Sequence, residues 1–113
     1  MKIAMQTARL PGDSLREKFQ FTRTFGFDAV EVNLSREIDL GTQVDALNDA
    51  RAASGLPIAA LCSHGDNDPL QPDKGLRAER FAELTRLLDL ADQIGAGGIV
   101  CVPVRRPVEF PEL

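Results

Sequence analysis

His64 is the only histidine in the chain. It closes an apolar run, Pro57-Ile58-Ala59-Ala60-Leu61-Cys62-Ser63, that reads as a strand. A histidine at the carboxyl end of such a strand can polarise a carbonyl, hold a substrate hydroxyl or bind a metal. It can equally be a loop histidine hydrogen-bonded to Asp66 or Asp68. Glu31 is the second candidate. In the segment Ala29-Val30-Glu31-Val32-Asn33-Leu34, alternation puts Val30, Val32 and Leu34 on one face and Ala29, Glu31 and Asn33 on the other. A carboxylate on an inward face is costly without a partner. It therefore serves either as a general base or sugar-hydroxyl acceptor, or as one half of an internal ion pair or hydrogen bond. Asn33, two residues nearer the rim, can present its amide to a ligand. Gln6 has the equivalent rim position on an opening strand, Lys2-Ile3-Ala4-Met5-Gln6.

Other reactive residues invite plainer readings. Asp66, Asp68 and Asp73 sit in a Pro-containing loop and are expected to be solvated, with turn and cap roles. Arg105 and Arg106 can grip a phosphate or form a solvated pair. Cys62 and Cys101 fall inside strands with no Cys-x-x-Cys or Cys/His cluster, and read as buried small hydrophobes of a reducing compartment.

The elements that position these residues repeat one junction. Three helix-like stretches end at a glycine and run at once into a short apolar strand: Gly26 before 29–34, Gly55 before 57–63, and Gly95 before 98–102. Ser14-Leu15-Arg16-Glu17 has the form of a capping box, and Leu15, Phe19 and Thr22, with Phe21 and Phe25 beside them, form an apolar helical face. A second helix over 42–54 carries Val44, Leu47 and Ala50 or Arg51 on one side. A third over 76–94 carries Phe81, Leu84, Leu88 and Ala91, with Leu87 and Ile94. The strand over 57–63 is so apolar that both its faces are expected to be covered. This rhythm is that of a parallel α/β fold, whose chemistry lies at the carboxyl ends of the strands.

A composition 43% hydrophobic and 27% charged argues for a folded domain. The net charge of -4 and the absence of Tyr and Trp do not suit a nucleic-acid partner. No apolar run is long enough to span a bilayer and no signal-like start is present, so the expected location is cytoplasmic. There is no dinucleotide fingerprint, P-loop, nucleophile elbow or histidine pair with metal-ligand spacing.

Gly26-Phe27-Asp28-Ala29-Val30-Glu31-Val32 resembles the Gly-x-Asp-x-x-Glu-Leu second strand of the sugar phosphate isomerase/epimerase family, the xylose isomerase-like TIM barrels. The run into Ser63-His64-Gly65 is similar to that family's third strand, and Ile94-Gly95-Ala96-Gly97-Gly98-Ile99-Val100 to its passage into strand 4. The resemblance implies a partial (β/α)8 TIM barrel of about four parallel strands and three intervening helices over 1–103, with 104–113 a Pro-rich tail or the start of the next loop. It implies a substrate pocket lined by Glu31 and His64, and a small sugar or polyol substrate altered by proton transfer next to a carbonyl. It also implies a divalent metal (Mn, Mg or Zn) held mainly by carboxylates of later strands, with no metal ligand in this chain. As the first half of such a barrel the chain is expected to be inactive alone and to self-associate through its open edges. A non-catalytic α/β module binding a small polar ligand is the alternative, and a flavodoxin-like domain a third.

Overall fold

A computed structural model describes residues 1–34, 40–64 and 67–102, the side chains of 40–42 excepted. Asp66, Arg105, Arg106 and the tail 104–113 lie outside the described residues. The elements run β1 (Ala4–Gln6), a 3-10 turn (Thr7–Arg9), α1 (Leu15–Thr24), β2 (Ala29–Asn33), α2 (Leu40–Ser54), β3 (Ile58–Cys62), α3 (Lys74–Gln93) and β4 (Ile99–Val100).

All neighbouring strands pair in parallel, in the spatial order β1-β2-β3-β4. Each strand thus lies beside its successor, the order found in a (β/α)8 barrel. A flavodoxin-like sheet would place β1 between β2 and β3, so that reading is set aside. Right-handed crossovers that always advance in one direction put every helix on the same face of the sheet. The core forms there: Phe19 of α1, Leu47 of α2, Leu84 and Leu87 of α3 pack on Val30, Val32 and Leu61. Phe19, Val30, Leu47 and Leu61 are fully buried, each contributing about 1.5–3 kcal/mol by leaving water.

The local signals act as their chemistry requires. Ser14 Oγ accepts the Glu17 amide at 3.2 Å while Glu17 Oε2 accepts the amides of Asp13 (2.8 Å) and Ser14 (3.3 Å), completing the capping box. Asp73 caps α3 by accepting the Leu76 amide at 2.8 Å.

The expectations for β3, α3 and Asp68 need correction. Strand β3 is covered by helices on one face only: Ala59 is exposed and Ala60 half-buried. The register shifts between Val30 and Glu31, so Ile58 faces Val30 while Ala60 faces Glu31. This bulge leaves Ala59 extra and turns Ile58 and Leu61 to the same core despite their odd spacing. An apolar run thus reflects a bulge rather than double coverage. On α3, the buried side runs through Arg80, Leu84, Leu87, Leu90, Ala91 and Ile94, while Phe81 and Leu88 are 54% and 51% exposed. Asp68, expected in solvent, is 1% exposed.

Candidate functional site

The face of the sheet opposite the helices carries Gln6, Glu31, Asn33, Ala60, Cys62 and Val100. Registers Gln6↔Glu31↔Ala60 and Asn33↔Cys62↔Val100 place them in two rows across the strands. No described element packs over this face. Gln6, Glu31, Asn33 and Ala60 are half-buried and Val100 is exposed, so the polar groups are open to a ligand.

Glu31 has a partner. Gln6 Nε2 donates to Glu31 Oε1 at 2.5 Å, which fixes one carboxylate oxygen and the amide that faces it. Both are side chains that hydrogen-bond hydroxyl groups well. Asn33 is spent differently. Its Oδ1 accepts the Ala8 amide at 2.9 Å and the Thr7 hydroxyl at 3.4 Å, while its own backbone N–H donates to Thr7 Oγ1 at 2.9 Å. Its amide therefore holds the β1 exit against β2, and its nitrogen side faces Cys62. Burial, first, and the Glu31 carboxylate, second, push the Cys62 thiol up, against the opposing hydrogen bond from Asn33. A raised thiol stays protonated at neutral pH and is a poor nucleophile. Cys62 and Cys101 are both free thiols; Cys62 is buried as expected, but Cys101 lies just past β4 and is exposed, which corrects the expectation of a buried thiol there.

His64 follows β3 and is exposed. With Thr7, Ala8, Asp13, Leu15, Lys18, Asn33 and Leu34 it lines a cleft of about 380 Å³ at the carboxyl ends of the strands. Lys18 Nζ donates to the carbonyls of Thr7 (3.1 Å) and Leu10 (3.2 Å), so a cation is fixed at the cleft wall. The geometry brings together Gln6, Glu31, Asn33 and His64 at one end of the sheet, but it is Asn33 and His64 that share the cleft, with Glu31 and Gln6 on the adjoining open face. Thr7 and Lys18 escape the sequence reading. A threonine in a short turn and a lysine on an amphipathic helix carry no periodic signal.

The loop behind His64 is anchored. Asn67 donates its backbone amide to the His64 carbonyl at 2.9 Å. In the orientation that satisfies its side chain, its amide nitrogen donates to Glu83 Oε2 and to the Arg80 carbonyl, both at 3.2 Å. Arg80, 7% exposed, pairs with both Glu83 oxygens at 3.0 and 3.1 Å. Asp68 Oδ1 accepts the Leu70 amide at 2.9 Å, the turn role its residue type favours.

Among the described residues no three His, Cys, Asp or Glu side chains come together to hold a metal ion. Glu31 and His64 alone do not make a metal centre.

No protein-family model matches the chain, and no curated protein matches it significantly. Among solved structures it is similar to 3-keto-D-glucoside 4-epimerase, YcjR, from E. coli, in its apo form, with a TM-score of 0.74 and 26% sequence identity. The match covers 88% of this chain and 36% of the epimerase, so the chain spans little more than a third of that protein's length. Four parallel strands and three helices thus have the arrangement of part of a TIM barrel, in a sugar isomerase/epimerase-like fold.

Proposed function

We propose that the carboxyl end of this sheet is the substrate-binding part of an isomerase or epimerase site for a keto sugar. The observation that carries the reading is the Gln6–Glu31 pair, joined at 2.5 Å on an uncovered face beside the His64 cleft, in a fold similar to a sugar epimerase. In this reading the unpaired Glu31 oxygen and the outer side of the Gln6 amide hold sugar hydroxyls. His64, exposed at the rim, donates to a carbonyl or hydroxyl oxygen. Lys18 favours partial negative charge at the cleft wall.

Epimerisation next to a ketone removes the proton on the neighbouring carbon, moves its electron pair towards the carbonyl oxygen, and returns a proton to the opposite face. Histidine suits the second of these tasks as an oxygen donor. Proton removal and return on opposite faces, without reorientation of the intermediate, call for two bases. Glu31 is the one carboxylate on the described inner face, so this reading assigns these residues binding and orientation. A divalent metal, if used, would be held by groups outside those described. Free thiols at Cys62 and Cys101 fit a reducing, cytoplasmic setting, and no helix among the described residues is long and apolar enough to cross a membrane.

The test is a calorimetric titration with methyl 3-keto-D-glucoside and with the parent methyl D-glucoside, paired with deuterium wash-in from D2O in the presence of Mn²⁺. Saturable binding that favours the keto sugar, without wash-in by this chain alone, is expected. Absence of saturable binding by either sugar contradicts the site. Wash-in that disappears in His64→Ala contradicts the division between binding and proton transfer.

A further inference from the structure

The end of β3 is backed by polar groups where an apolar core would otherwise continue. On α3 the buried side runs through Leu84, Leu87, Leu90 and Ala91, but towards the helix start it is headed by Arg80. In the connection from β3 to α3, Ser63, Asn67 and Asp68 are buried as well. Arg80 Nη1 donates to Glu83 Oε1 and Oε2 at 3.0 and 3.1 Å. The Asn67 side chain joins this pair, since its amide nitrogen donates to Glu83 Oε2 and to the Arg80 carbonyl. The backbone N–H of the same residue donates to the His64 carbonyl at 2.9 Å. Asn67 thus links α3 to the histidine of the cleft.

Stability does not account for this cluster. A buried ion pair gains little over apolar side chains of similar size, because both charges leave water. Arg80 Nε and Ser63 Oγ are also buried without a hydrogen-bond partner, and each such atom opposes folding. What the cluster provides is geometry. Just before His64, the Ser63 N–H donates to the Val100 carbonyl at 2.8 Å, which fixes the end of the strand. Just after it, the bond from Asn67 fixes the His64 carbonyl. With backbone groups held on both sides, the direction in which the His64 side chain leaves the chain is set. A binding side chain needs such support, because a displacement of about 1 Å weakens the contacts it makes.

We propose that Asn67, clamped by Glu83 and Arg80, is a positioning residue for His64. The clamp sets where the imidazole stands in the cleft, and so its reach to a carbonyl or hydroxyl oxygen of the ligand. The part played in sugar binding rests on the reading of this end of the sheet as a sugar site; the placement of His64 does not.

His64 is the only histidine, so its imidazole NMR signals report on this residue alone. They are followed in the 113-residue chain and its variants, first without ligand and then during titration with methyl 3-keto-D-glucoside. Asn67→Asp keeps the shape of the side chain but sets a carboxylate against Glu83 Oε2 and the Arg80 carbonyl. Asn67→Ala deletes the clamp without adding a charge. Glu83→Gln keeps an acceptor for Arg80 and Asn67, and Arg23→Met loosens the fold at the opposite end. Both Asn67 variants are expected to move the imidazole signals in the ligand-free protein and to raise the keto-sugar dissociation constant about fivefold. Glu83→Gln and Arg23→Met are expected to keep the parent's signals and to stay within about twofold of its affinity. Imidazole signals unmoved in the Asn67 variants, or moved as far in Arg23→Met, overturn the proposal. So does an unchanged affinity in those variants when the parent binds. A parent that does not bind the sugar removes the sugar-site reading, while the ligand-free imidazole signals still decide whether Asn67 positions His64.

Discussion

The two ends of the sheet are built from different materials. At the amino ends of the strands, two described arginines are committed to backbone carbonyls. Arg23 Nη1 donates to the carbonyl of Ser54 at 2.5 Å, and Arg51 Nη1 donates to the carbonyl of Ile94. In both cases an arginine from the last turns of one helix reaches the carboxyl terminus of the next, where the helix dipole favours a cation. The glycines that follow, Gly55 and Gly95, have φ of 72° and 66°, a left-handed conformation that side chains resist. A Cβ on either would sit 3.1 Å from the clamping guanidinium. At the carboxyl ends the polar groups are Gln6, Glu31, Asn33, Lys18 and His64, gathered around an open face and a cleft. One end spends its charge on holding successive βα units together, while the other sets the paired Gln6 and Glu31 side chains and the exposed His64 around an open face and a cleft. That division is the one expected of a parallel barrel, where the bottom face stabilises and the top face acts.

Substitutions can break this contrast, and they separate by what they change. Gly95→Val should have the largest effect. It forces a β-branched residue into φ of 66° against Arg51, and should cost about 2–3 kcal/mol in urea denaturation. Arg23→Met removes a charged hydrogen bond to a helix terminus and should cost about 1.5–2 kcal/mol. Folded protein from either variant should bind the keto sugar as before; a matching loss of affinity would show that the two ends are not separate. Glu31→Gln should reverse the pattern, weakening keto-sugar binding about tenfold, about 1.4 kcal/mol, with little change in the urea midpoint. A large fall in stability there would instead mark the Gln6–Glu31 pair as structural. The smallest effect belongs to Glu17. The amides of Asp13 and Ser14 hold its carboxyl below the ordinary glutamate range. Its folded form therefore binds fewer protons than its unfolded form, and its stabilisation is present above the ordinary glutamate range. That stabilisation fades as pH falls through the lowered folded value. Glu17→Ala should lower the urea midpoint at neutral pH, and the difference from the parent should shrink on acidification. A difference that grows at low pH would contradict the capping assignment.

Much of the upper end was legible in the chain because it depends on local rules. Period-two alternation put Glu31 and Asn33 on one face, and both face away from the helices in the fold. The Ser14–Glu17 spacing announced its cap, and the helix-glycine-strand junctions marked where each βα unit ends. What escaped depends on contacts distant in sequence. Arg23 and Ser54 are 31 residues apart, and Arg51 and Ile94 are 43 apart, so neither clamp leaves a local pattern. The bulge at Ala59 cannot be seen in a run of similar small apolar residues. Phe81 and Leu88 lie outside the buried stripe because α3 carries leucines on several sides, and periodicity alone does not choose among overlapping stripes. The contacts of Asn33 depend on Thr7 and Ala8, which meet its Oδ1 only in the folded chain.

The central claim, that the carboxyl end of the sheet is a sugar site, is met most directly by a chemical-shift titration of the folded 113-residue protein with methyl 3-keto-D-glucoside. The account predicts saturable shifts at Gln6, Glu31, Asn33 and His64, with the cleft lined by Arg51, Gly55 and Gly95 at the opposite end unmoved. Saturable shifts that instead gather at Arg51, Gly55 and Gly95, or none at either end, would contradict it.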